Sequence, residues 1–183
     1  LDERESRVGL LRDGARLDLG GIGVGIALDR AAAALRREGI ASALLNHSGD
    51  ILAIGAPPEA EGWEVGIQDP FDPRGTIRTF TLRDRSVSTS GNYENFVRIG
   101  ERRIGHLLDP HTGLNPSGYA SVSVFADSST AADALSTGFF AGGVRLAAAL
   151  PPGAGRIAVC TVAPEEAGAA VEVHDDVLAP LGE

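Results

Sequence analysis

The amino-acid sequence predicts an α+β fold: mixed, largely antiparallel sheets with two main helices. Two observations carry that reading. Strand-like segments follow one another in runs instead of alternating with helices. Only two segments, about 22–38 and 129–140, have the length and composition of substantial helices. No internal repeat, low-complexity tract or linker divides the 183 residues, so 1–183 is expected to form one domain. A chain of this size buries roughly 70% of its unfolded surface and needs no disulfide or metal staple on grounds of size.

Taken in order, residues 8–11 and 15–19 read as a hairpin around Asp13-Gly14. The glycine cluster Gly20-Gly21-Ile22-Gly23-Val24-Gly25 opens the first helix, which Gly39 stops. Segments 43–46 and 51–54 are short strands around the turn His47-Ser48-Gly49-Asp50, and Pro57-Pro58 marks a loop. Segment 63–67 reads as a strand, and 76–82 alternates apolar with polar residues, predicting one buried face. Strands at 86–89 and 96–99 flank Ser90-Gly91-Asn92. Segment 102–107 leads into the turn Asp109-Pro110-His111-Thr112-Gly113. A strand at 121–125 precedes the second helix, 129–140. A short helix at 144–150 stops at Pro151-Pro152, and strands at 156–162 and 171–173 close the chain.

Composition narrows the chemistry. All 16 cationic side chains are arginine, which excludes a lysine Schiff base, a lysine general base and a P-loop lysine. A net charge of −9 argues against nucleic-acid binding through a basic patch. The acids after Arg156 meet no base and read as a solvated surface. The single cysteine, Cys160, sits in an apolar run and reads as a buried strand residue. No apolar stretch approaches the roughly 20 residues of a membrane span. The chain starts at Leu1 and contains no methionine, so a fragment or processed product is expected.

Three segments offer chemistry. The glycine cluster can let a backbone approach a ligand closely, with a helix N-terminus offering N–H groups to an anion. Its spacing is G-x-G-x-G, and the chain lacks the βαβ pattern of a dinucleotide fold, so a structural turn explains it equally well. Asp133 and Thr137 stand at i and i+4 of the second helix, on one face. Their oxygens suit Mg²⁺ or Ca²⁺. The plain alternative is a polar stripe with Thr137 bonding back to a carbonyl. His106 lies near a strand end before a turn, a position suited to a catalytic base or to a surface or cap histidine. His47, in a turn between strands, is expected to be partly exposed and not a ligand.

Weak singly, these segments are specific in order. Leu17-Asp18-Leu19-Gly20-Gly21-Ile22-Gly23, Ser48-Gly49-Asp50, Thr89-Ser90-Gly91-Asn92-Tyr93-Glu94, His106-Leu107-Leu108-Asp109-Pro110-His111-Thr112-Gly113 and Ala132-Asp133-Ala134-Leu135-Ser136-Thr137 together resemble the ApbE family of FAD:protein FMN transferases. The resemblance runs from about Asp18 to Gly142. It implies an ApbE-like, T-fold-like architecture. It also implies a Mg²⁺-dependent enzyme that cleaves FAD and moves FMN onto a Thr or Ser hydroxyl of a target flavoprotein. FAD is then substrate, Asp133, Thr137 and the Gly21 carbonyl hold Mg²⁺, Asp18, Val24 and Leu108 match FAD-contacting positions, and His106 is the base. Val24 stands where the family usually carries a charged residue, often Lys; Arg30 is nearly two turns further along the helix. Ser48-Gly49-Asp50 stands for the family's Gly-Gly-Asp. The family's N-terminal region, which supplies part of the FAD pocket, is expected to be missing. The alternatives are a relative that only binds or hydrolyses FAD, or one without catalysis. Family members are usually extracytoplasmic and often lipid-anchored, so an extracytoplasmic or membrane-associated location is expected.

Overall fold

The strand runs assemble mainly into one antiparallel sheet. In the computed structural model, which describes residues 1–2, 4–93, 96–100, 102–150, 157–164 and 171–174, six strands pair in the order β1-β2-β5-β8-β9-β10. They are β1 (Ala43–His47), β2 (Asp50–Ile54), β5 (Arg85–Gly91), β8 (Ser121–Ala126), β9 (Ala158–Val162) and β10 (Val171–His174). Two separate ribbons are formed by β3 (Trp63–Gln68) with β4 (Thr76–Leu82), and by β6 (Phe96–Ile99) with β7 (Arg102–Gly105). The helices are α1 (Gly23–Arg37) and α2 (Ser129–Gly142). This is the expected α+β class.

Burial explains the layering. Every residue of β8 is buried, as befits a central strand covered on both faces. On one face α2 packs Phe139 and Phe140 against Val122, Val124 and Val159. On the other, the β3–β4 ribbon sets Val65, Ile67 and Leu82 against Val87, Phe125 and Cys160, with the Phe80 and Phe125 rings 4.6 Å apart. Cys160 is thus the core residue its apolar context predicts, and burial pushes its thiol pKa up. Alternation in β4 holds with one irregularity: Ile67 faces Arg78 and Gln68 faces Thr76, leaving Ile77 as a β-bulge. Leu28 and Ala32 of α1 pack on Leu52 and Ile54 of β2.

Turn chemistry fixes two joints. Ser48 and Gly49 both have positive φ (52° and 93°), the two-residue turn that suits a right-twisted hairpin. Gly39, at φ 81°, ends α1 as anticipated. Its N–H donates to the Arg36 carbonyl, and the Ile40 N–H reaches back to the Leu35 carbonyl.

Two expectations are corrected. Residues 8–19 do not form a hairpin. The turn exists, with the Ala15 N–H donating to the Arg12 carbonyl and Gly14 at φ 77°, but no strands flank it. Val8, Leu10, Leu11, Leu17 and Leu19 are all more than half exposed, and a two-stranded ribbon with no face to bury is marginal. The short helix after α2 is a 3₁₀ helix, Val144–Ala149. Pro151-Pro152, Arg156 and most of the acidic end lie outside the described residues. Among the described residues no helix is long and apolar enough to cross a membrane.

Candidate active site

The glycine turn and α2 meet along an antiparallel seam. Gly21 packs on Thr137: a Cβ at Gly21 would lie 2.9 Å from the Thr137 hydroxyl oxygen. One turn later a Cβ at Gly25 would lie only 2.3 Å from the Ser129 carbonyl oxygen, a separation no side chain tolerates. The Gly25 N–H donates to Asp133 Oδ2 at 2.9 Å. The N-cap residue of α1, Ile22, has no capping side chain. Asp133 therefore caps α1 from another helix, its charge favourably placed against the helix dipole.

This seam forms one wall of a cavity of about 480 Å³ lined by Asp18, Gly21, Asp50, Ser88, Ser90, Tyr93, His106, Asp133 and Thr137, among others. Among the described residues three carboxylates and several hydroxyls face it, and no arginine does. Asp133 is 5% exposed. Burial raises its pKa, opposed by the N–H groups of Gly25 and Val24. Asp50 is pushed up to about 6, chiefly by burial and further by the Asp133 charge, while the Ser88 hydroxyl and His47 pull it down. A carboxylate whose proton affinity is raised in part by a second one lining the same cavity suits a hard cation nearby. With the Thr137 hydroxyl and the backbone beside Gly21, the donor set is all oxygen and fits Mg²⁺. Among the described residues no group of three or more His, Cys, Asp or Glu side chains is placed to hold a metal ion, so a cation here would need hydroxyl and backbone oxygens beside the carboxylates.

Behind the cavity wall, β5 turns Ser86, Ser88 and Ser90 toward α2. Ser88 and Ser90 lie 3.1 and 2.8 Å from the Ser136 hydroxyl, and Ser90 lies 3.3 Å from Thr137 Oγ1. Small hydroxyl side chains let helix and sheet approach closely while pairing one another in the buried seam. Thr137 thus turns to Ser90 across the seam.

His106 is set by its neighbours' backbone. Asn92 accepts the Leu107 N–H and donates to the Leu107 carbonyl. Asn115 accepts the Gly105 N–H at 2.9 Å and donates to the carbonyls of Gly105 and Leu107. The strand end on either side of His106 is therefore clamped, and any Cβ at Gly105 would collide with Asn92. The following turn is closed by the Gly113 N–H donating to the Asp109 carbonyl. The Asp109 carboxylate accepts the His111 N–H, which holds its pKa below the usual carboxylate range.

The structure brings Asp18, Gly21, His106, Asp133 and Thr137 together on one cavity. The Asp18 carboxylate also accepts the Gly20 N–H at 2.8 Å, bracing the glycine turn. Val24 and Leu108 are not among the lining residues: Val24 packs toward Leu28 and Leu52, and Leu108 is 48% exposed beside the lining residue Leu107. His47 is exposed, as its place in the turn predicts, and is not among the residues lining the cavity. Asp50, Ser88, Ser90 and Asn115 were not singled out as site residues from sequence. The Ser-x-Ser-x-Ser alternation of β5 was the visible signal for two of them; Asn115 carried none.

The ApbE family matches residues 1–159. A FAD:protein FMN transferase of Treponema pallidum is 37% identical over 153 residues, 78% of this chain and 42% of the relative. One from Rhodobacter capsulatus is 39% identical over 123 residues, 67% of this chain and 23% of the relative. The crystal structure of the ApbE protein of Thermotoga maritima superposes with a TM-score of 0.74 at 33% identity, covering 90% of this chain and 53% of that one. The chain thus spans about half, or less, of the length of these proteins.

Proposed function

Since the chain belongs to the ApbE family, we propose that its cavity takes the pyrophosphate of FAD and that the chain serves in moving FMN onto a Thr or Ser hydroxyl of a target flavoprotein. One observation carries this reading: a cavity of about 480 Å³ lined, among the described residues, by three carboxylates and no arginine. A pyrophosphate cannot enter such a site on the strength of the protein's own charges, and a divalent cation reconciles the two. Mg²⁺ bound there supplies charge neutralisation at the phosphorus undergoing substitution.

The chain's own residues do the rest. The Asp133 carboxylate, braced by the Gly25 N–H on Oδ2, would hold the cation. Thr137 Oγ1 and the Gly21 carbonyl complete the proposed protein donors. His106, held at the cavity by the two asparagines, accepts the proton of the incoming Thr or Ser hydroxyl. The acceptor oxygen bonds to the FMN phosphorus and the P–O bond to AMP breaks. Names of relatives and the all-oxygen donor set support this assignment.

The test is incubation with FAD, Mg²⁺ and a target flavoprotein, reading covalent flavin fluorescence on the denatured acceptor. Asp133→Ala should abolish labelling. His106→Ala should slow it by about 100-fold while FAD still binds. Labelling that survives Asp133→Ala removes the cation site. AMP release without labelling replaces transfer by hydrolysis.

A further inference from the structure

We infer that Asp29, which lies outside the cavity, is a positioning residue that holds α2 in the register at which Asp133 and Thr137 can share one cation. The inference rests on the proposed cation reading of the cavity.

The seam has three rungs at four-residue spacing: Gly21 against Thr137, Gly25 against Asp133 and Ser129, and Asp29 against Ser129 and Thr130. The third is the most strongly bonded. The Ser129 N–H donates to Asp29 Oδ1 at 2.8 Å, the Thr130 N–H to Oδ2 at 2.9 Å, and the Thr130 hydroxyl to Oδ2 at 2.6 Å. Charge-assisted bonds of this length are the strong ones.

The two helices therefore cap each other. Asp133 of α2 takes an N–H at the start of α1, and Asp29 of α1 takes two N–H groups at the start of α2. Asp29 does more than cap: the local cap, Ser128 Oγ, accepts the Ala131 N–H at 3.1 Å, and the Ser129 and Thr130 N–H groups are taken by a residue of another helix. What Asp29 adds is a tie between helices. It fixes residues 129 and 130 to α1, whose first turn follows directly on the glycine turn bearing Gly21. Asp133 and Thr137 lie one and two turns beyond that tie. Releasing it frees α2 to slide or tilt against Gly21, and two ligands from one helix then no longer converge with a backbone donor from another segment. A site of this kind loses affinity through misplacement of its ligands, without loss of any ligand.

The experiment compares two cap losses. Asp29→Asn keeps the size and one acceptor oxygen but cannot accept all three bonds. Ser128→Ala removes the local cap and leaves the inter-helix tie. Mn²⁺ serves as probe, its free concentration followed by electron paramagnetic resonance, with Asp133→Ala as the non-binding reference and thermal melts recorded for each variant. Asp29→Asn should weaken Mn²⁺ binding by about tenfold or more, while Ser128→Ala stays close to the wild-type protein. Equal Mn²⁺ affinities in Asp29→Asn and wild type overturn the inference and leave the cation reading standing, as do equal losses in Asp29→Asn and Ser128→Ala. Absence of Mn²⁺ binding in the wild-type protein, with and without FAD, overturns the reading itself. If Asp29→Asn does not fold, Thr130→Val decides: it loses only the 2.6 Å contact, and an unchanged Mn²⁺ affinity there overturns the inference.

Discussion

At the scale of single residues, the site combines groups that do chemistry with groups that hold them. Asn115 holds. It makes three hydrogen bonds to the backbone on either side of His106 and does not line the cavity. Under the proposed function, Asn115→Ala should lower kcat by about tenfold with KM for FAD little changed, since misorienting a base weakens the transition state more than the ground state. Steady-state kinetics separates the two parameters; a rise confined to KM refutes the role. Asp50 is the other informative residue, because its pKa is raised from 3.8 to about 6. The sign follows from linkage. A carboxyl that binds its proton more tightly when folded stabilises the fold at low pH, and that contribution is lost as pH rises through about 6. Asp50→Asn has no proton to lose. Its melting temperature relative to wild type, measured without divalent cation, should climb between pH 4 and pH 7. A flat difference across that range contradicts the raised pKa that burial, chiefly, gives Asp50.

At the scale of elements, the question is why two helices approach so closely at one seam. The answer lies in the small residues: Gly21 and Gly25 on one side, Ser129 and Ser136 on the other, with Ser86, Ser88 and Ser90 beneath. Gly25→Ala should cost about 1–3 kcal/mol in urea unfolding, since its Cβ would press on backbone that cannot turn away. A loss within a few tenths of Ala's helix-propensity gain would mean α1 shifts freely. The same seam shows what was legible in the sequence. Helix limits were, because Gly39 and the alanine run are local signals. Strands were, because turn residues punctuate them. The i, i+4 pairing of Asp133 with Thr137 was visible, but its partner Gly25 is 108 residues away in the chain. A cap supplied by another helix leaves no local pattern, so Asp29 and the capping role of Asp133 could not be read. The failed hairpin at 8–19 is the converse. Local turn chemistry was right there, yet strands need a surface to bury, and local sequence does not state whether one exists.

For the molecule as a whole, charge and the proposed substrate are opposed. The chain carries a net charge of −9, and the cavity gathers three of its carboxylates, Asp18, Asp50 and Asp133. FAD brings a pyrophosphate of the same sign. Under the proposed function, neither FAD nor the cation should bind well alone, because each meets an incomplete partner. FAD meets unscreened carboxylates, and the cation meets a donor set short of the phosphate oxygens that complete its shell. Together they remove both deficits, so their binding free energies must be coupled. By linkage the coupling is reciprocal: the factor by which Mg²⁺ tightens FAD equals the factor by which FAD tightens Mg²⁺. A coupling of about 10-fold or more is expected. Thermal melts read it directly, because ligands that bind the folded state raise its stability by mass action. FAD alone and Mg²⁺ alone should each move the midpoint little, and the two together by clearly more than the sum of the separate shifts. Asp133→Ala should make the shifts additive by removing a carboxylate that would hold the cation. Additive shifts in the wild-type protein would mean that cation and flavin nucleotide occupy independent sites, and the acidic lining would then need another explanation.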